Sequence, residues 1–186
     1  MTKKVIVLLA DGFEDVEAVT PIDYLQRAGI EVTTVSISDL IEVTSRWGGI
    51  KLTANITLTI NNIVKTDYDA VILPGGIPGA EKLAASKEVK ELLQKMAAEK
   101  KLICAICASP ALVLAPLGIL KGKNFTCYPG MEEKVKDGIW SEARVVTDGN
   151  IITSRSAGTA GEFAVAIIAY LLGDEVSKKI AQTVLL

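Results

Sequence analysis

The chain has 186 residues, 20 Lys+Arg against 22 Asp+Glu, three Cys and no His. That length suits a single domain over 1–186, able to bury roughly 70% of its unfolded surface without disulfide or zinc staples. A net charge of −2 argues against nucleic-acid affinity built on phosphate neutralisation, and the longest apolar runs fall well short of the ~20 residues of a membrane span.

Lys4 to Ala10 is a short β-branched run ended by Asp11-Gly12, which reads as a strand buried on both faces. Asp15 to Ala28 follows as a helix, with Val16, Val19, Ile22 and Leu25 at helical spacing and Gly29 as its stop. Ile30 to Ser36 alternates as a second strand. Residues 41 to 60, rich in Val, Ile and Thr around Gly48-Gly49, have the pattern of a β-hairpin. Ala70 to Leu73 is another buried strand, closed by Pro74-Gly75-Gly76, and a helix spans about Lys87 to Lys100. Leu102 to Ile106 is the next strand, and the small apolar residues 108 to 115 read as helical. Two further strands, Ala143 to Thr147 and Ile151 to Ser154, precede a helix over about Thr159 to Leu172. This alternation predicts an α/β fold, a doubly wound parallel sheet sandwiched by helices with a small β-hairpin insertion. Ligands of such folds bind beyond the carboxyl ends of the strands, which singles out four loops.

In Ala105-Ile106-Cys107-Ala108-Ser109-Pro110 a buried strand runs into a cysteine, two small residues and a proline suited to a first helical turn. The layout is either a nucleophile elbow, with a helix beneath that lowers the thiol pKa, or a buried cysteine serving as a small hydrophobe. Cys104 and Cys107 form C-x-x-C, but on one strand they would lie ~10 Å apart on opposite faces, too far for a disulfide. Cys104 therefore reads as core, and Cys127 has no informative context. Glu14, Asp15 and Glu17 begin the first helix; acids there complement the helix dipole, while Glu17, one turn in, can face the neighbouring strand end. Pro74-Gly75-Gly76-Ile77-Pro78-Gly79-Ala80 is either an ordinary tight turn or a set of amides facing an anion. Arg46 and Arg155 each bring one guanidinium to a loop, commonly a surface ion-pair role.

The absence of histidine removes Ser-His-Asp and Cys-His machinery and the commonest nitrogen ligand of zinc, so no metal site is expected. Met1-Thr2-Lys3-Lys4 is basic, but no cleavable signal follows it, and three cysteines suit a reduced, cytoplasmic protein.

Together the loops resemble the DJ-one/ThiJ/PfpI superfamily. Leu9 to Val19 is similar to its first strand and acidic helix start, Leu73-Pro74-Gly75-Gly76 to its glycine turn, Ala105-Ile106-Cys107-Ala108 to its elbow, and Thr153-Ser154-Arg155 with Gly158-Thr159 to its later loop. The matches run in order over nearly the whole chain. The resemblance implies a flavodoxin-like homodimer without cofactor, with Cys107 as nucleophile and Glu17 as its partnering carboxylate. It places an anion site at Gly75, Gly76, Ala108, Arg46 and Arg155. It further implies a glyoxalase or deglycase acting on a small reactive aldehyde or a glycated thiol or amine, or alternatively an oxidative-stress sensor or redox-regulated chaperone. PfpI-type members carry His directly after the cysteine; Ala108 stands there in this chain, which removes the peptidase reading. Tyr128 stands where some members have a pocket His, leaving proton transfer to Glu17.

Overall fold

The computed structural model describes residues 2–58 and 67–186; Met1 of the basic start and residues 59 and 60 of the hairpin reading lie outside them. Seven strands form one sheet. Its centre is β1 (Lys4–Leu9), β6 (Ala70–Leu73) and β7 (Leu102–Ile106), each nearly or wholly buried because helices cover both faces. Parallel pairing sets Val5 against Ala70 and Ile72 against Cys104. On one side β2 (Glu31–Ser36) and the short β5 (Ile56–Thr57) extend the sheet in parallel. On the other, β11 (Ile151–Ser154) pairs in parallel with β7, and β10 (Val145–Asp148) closes the edge antiparallel to β11. The fold is the expected flavodoxin-like arrangement with one antiparallel edge.

The inserted hairpin consists of β3 (Glu42–Thr44) and β4 (Lys51–Thr53), with Thr44 opposite Lys51. It is stitched to the β1 end: the Gly12 N–H donates to Thr44 O at 2.8 Å, the Thr44 N–H to Asp11 Oδ1 at 2.8 Å, and the Arg46 N–H to Phe13 O at 2.9 Å. Helix α1 (Asp15–Arg27) packs on the sheet through Glu17, Ala18, Pro21 and Leu25. Its inward stripe is thus rotated from the apolar spacing of the sequence, leaving Val16 and Val19 exposed and placing a carboxyl in the core.

Three helical segments differ from expectation. Helix α2 (Ile77–Ala85) starts directly after the glycine turn, ahead of α3 (Lys87–Ala98). After Cys107 the chain forms a π turn over Pro110–Leu114 and a 3₁₀ turn over Ala115–Leu117, not one α-helix. Helix α4 (Ala160–Leu172) is followed by α5 (Asp174–Thr183), docked by a 2.8 Å bond from Ser177 Oγ to Val165 O. Two-residue strands β8 (Asn124–Phe125) and β9 (Ile139–Trp140) pair beside the main sheet.

Candidate active site

Strand β7 delivers Cys107 into a sharp turn with a backbone φ of 65°. That left-handed conformation costs a non-glycine residue ~1–3 kcal/mol and persists only where its surroundings enforce it. Here they do: the Cys107 N–H donates to Ser154 O at 2.9 Å, and its carbonyl accepts from the Tyr128 N–H at 2.8 Å. The next residue but one is tied down as well, since Ser109 Oγ donates to Pro74 O at 2.5 Å. Cys107 is 8% exposed, while Cys104, three residues earlier, is wholly buried in the sheet; all three cysteines are free thiols. Of the two readings left open for this loop, the geometry is that of the elbow.

Glu17 meets the elbow from α1. It is 1% exposed, and its Oε2 accepts the Gly75 N–H at 2.9 Å. The glycine is required there: a Cβ on Gly75 would stand 2.5 Å from Glu17 Oε2 and 2.6 Å from Cys107 Cβ. Thiol and carboxyl therefore meet across bare backbone. Gly76 adopts φ 84°, which turns the chain into α2 and brings its amide, with that of Ala108, onto the Cys107 sulfur. Glu17 Oε1 is buried without a partner at hydrogen-bonding geometry among the described residues.

Burial governs the ionisation of both groups. It pushes Glu17 from its ordinary 4.5 up to about 7, against the pull of Cys107 and the Gly75 amide. It pushes the Cys107 thiol up to about 12, helped by the charge and hydrogen bond of Glu17 and opposed by the Gly76 and Ala108 amides. This corrects the expectation of a thiol lowered by a helix beneath it: burial and the neighbouring Glu17 outweigh the turns that follow the elbow. Two of the three causes that raise the thiol act only while Glu17 is ionised. Protonating Glu17 removes those two and leaves burial opposed by the Gly76 and Ala108 amides, so the acids titrate as a pair that shares one proton.

Sulfur and carboxyl open onto a cavity of about 280 Å³, lined also by Glu14, Arg46, Trp47, Ile77, Tyr128 and Met131. Arg46 donates to Glu14 Oε2 at 3.2 Å and lies 4.5 Å over the Trp47 ring. The hairpin sets this guanidinium at the wall. Two other anticipated contributors do something different. The Gly75 N–H is engaged by Glu17, so that amide positions the acid instead of facing a ligand. Arg155 is turned away from the cavity lining, donating to Glu142 O at 3.0 Å. Trp47, Ile77 and Met131 had no distinguishing sequence pattern, although Trp47 adjoins Arg46 and the Gly48-Gly49 turn. Among the described residues no group of His, Cys, Asp and Glu is placed to hold a metal ion, and no helix is long and apolar enough to cross a membrane.

The pattern of the DJ-1/PfpI family matches residues 3–170. The chain belongs to that family. It is similar to protein DJ-1 homolog B of Arabidopsis thaliana, 42% identical over 99% of this chain and 41% of the relative, so it spans about two fifths of that protein's length. A Pyrococcus abyssi relative named as a deglycase is 34% identical over 83% of this chain and 91% of its own. Among solved DJ-1/PfpI structures, one described as Toxoplasma gondii DJ-1, oxidized, superimposes with a TM-score of 0.94 at 38% identity, covering 99% of this chain and 98% of that one.

Proposed function

We propose that this family member is a cofactor-independent, cysteine-dependent glyoxalase or deglycase, acting on methylglyoxal, glyoxal or early glycation adducts. The observation that carries the reading is the pairing of strained Cys107 with buried Glu17 at the mouth of a small cavity. The Pyrococcus relative's name agrees with it.

The chemistry follows from the shared proton. The shared proton rests on sulfur; as it passes to Glu17 the thiolate adds to the aldehyde carbon of methylglyoxal, and the new oxyanion is met by the Gly76 and Ala108 amides. Glu17 supplies the proton that completes the hemithioacetal. As carboxylate it then removes the carbon-bound proton of the former aldehyde, and the C–H electron pair forms an enediolate with the neighbouring carbonyl. Returning that proton to the neighbouring carbon, while the hydroxyl proton of the sulfur-bearing carbon passes to the neighbouring oxygen, gives a lactoyl thioester: one carbon has been oxidised and its neighbour reduced, with no external electron carrier. Water hydrolyses the thioester to lactate and restores the thiol. A group with a pKa of about 7 serves both as donor and as acceptor near neutral pH. Arg46 and Trp47 shape the entrance, and exposed Val16 and Val19 on α1 support a homodimer. Three free thiols support a reducing, cytoplasmic setting.

The test is lactate formation from methylglyoxal in buffer free of added thiol and metal. Cys107→Ser is expected to abolish it, and turnover close to that of the parent chain overturns the reading. A second reading, a peroxide sensor, is favoured by one observation: of the three thiols Cys107 alone lines the cavity, and the Toxoplasma relative was solved in a form described as oxidized. Peroxide would convert the Cys107 thiolate to sulfenate and a second equivalent to sulfinate.

A further inference from the structure

Beyond the active-site cavity, a second one of about 220 Å³ lies between the 3₁₀ turn at Ala115–Leu117 and the loop before β9. Buried Leu120 and half-buried Ala115 and Val135 give it an apolar floor, and exposed Lys121, Lys134 and Lys136 stand at its rim with a single carboxylate, Asp137. What sets these three lysines apart is that they line one cavity. Lys3, Lys51, Lys101 and Lys123 each hold a carboxylate within 3.1 Å, whereas none of Lys121, Lys134 and Lys136 is in an ion pair among the described residues. Three like charges around one carboxylate leave an excess that an anion or salt screens. The backbone adds to the same demand: the consecutive amides of Lys136, Asp137 and Gly138, in the loop that edges the cavity, donate to no acceptor among the described residues. Gly138 is held in place beneath, since a Cβ there would stand 2.7 Å from Phe125.

We propose that this cavity binds the phosphate group of a small phosphorylated metabolite. Three ammonium groups and one carboxylate leave two positive charges, which match a phosphate dianion. Ammonium point charges and consecutive free amides are the donors that phosphate recognition uses. The apolar floor and the small volume admit a short carbon skeleton, not a nucleotide-sized one. The site stands apart from Cys107: the two cavities share no lining residue.

Two-dimensional ¹⁵N NMR of the full chain, titrated with inorganic phosphate and separately with glycerol 3-phosphate at constant ionic strength, tests this. Saturable shifts are expected in the amide signals of Lys136, Asp137 and Gly138, with roughly tenfold or greater loss of affinity in the variant Lys121→Ala/Lys134→Ala/Lys136→Ala. Lys82→Ala, on the exposed face of α2, is expected to leave affinity unchanged. Tighter binding of the ester than of inorganic phosphate supports a phosphorylated metabolite; equal binding of the two overturns that part. Linear, non-saturating shifts, shifts reproduced by chloride, or affinity unchanged in a folded triple variant overturn the site. Lys134→Ala alone, expected to weaken binding several-fold, serves if the triple variant does not fold.

Discussion

A carboxyl held at about 7 by burial lowers the stability of the fold that holds it, and that reduction is measurable. Glu17 lies 2.5 pH units above its ordinary value of 4.5. At ~1.4 kcal/mol per pH unit, ionising it inside the protein costs ~3 kcal/mol. Below pH 4.5 folded and unfolded chains both keep the proton, and no penalty arises. Between 4.5 and 7 the unfolded chain releases a proton that the folded chain retains, so stability falls as pH rises, reaching the full loss just above 7. Glu17→Gln cannot ionise. Its amide has its own packing consequences, but these are the same at every pH and cancel in a comparison. Urea unfolding of the parent chain and of Glu17→Gln at pH 4 and pH 7.5 gives the difference directly. The variant is expected to gain ~3 kcal/mol relative to the parent between the two pH values. A gap that stays constant within ~0.5 kcal/mol would show Glu17 to be an ordinary acid, and the shared-proton chemistry would fall with it.

Other consequences follow from individual contacts. Gly75→Ala drives a methyl group between Glu17 and Cys107, and a displacement of about 1 Å there is expected to reduce aldehyde turnover by ~10²-fold or more in steady-state assays, with retained secondary structure by circular dichroism. Mild peroxide followed by peptide mass spectrometry is expected to oxidise Cys107 first, with Cys104 modified only on unfolding; prior oxidation of Cys104 would contradict its burial in β7. Ser109→Ala leaves the Pro74 carbonyl without its hydroxyl donor and is expected to destabilise the chain by ~1–3 kcal/mol in urea; no change would mean that the bond to the glycine turn is dispensable.

The central strands were legible because both their faces are covered, which forces continuous runs such as Val5 to Leu9 and Leu102 to Ile106. The hairpin at β3 and β4 was legible from its β-branched residues and paired glycines, although Ile56–Thr57 leaves it to join the main sheet. Helix α2 was hidden by its own start, where Pro78 and Gly79 read as a continuing turn. Helix α5 carried a signal that went unread, Val176, Ile180 and Val184 at four-residue spacing. Cys107 and Glu17 stood out by position, one at a strand end and one a turn into a helix. What local sequence does not express is the environment that long-range packing creates. Burial raises the thiol despite its turn, the backbone aims Arg155 at Glu142, and Glu17 consumes the Gly75 amide.

Carbon-13 NMR of methylglyoxal labelled at the aldehyde carbon, mixed with Glu17→Gln, examines the proposed chemistry at its first covalent step. Addition to sulfur needs Cys107; in Glu17→Gln the charge that raises the thiol is gone and water can protonate the new oxyanion, whereas moving the carbon-bound proton needs the carboxyl. The account predicts a protein-bound hemithioacetal signal in Glu17→Gln that persists without lactate and is missing in Cys107→Ser. Lactate formed by Glu17→Gln at the parent rate, or the same bound signal in Cys107→Ser, would contradict it.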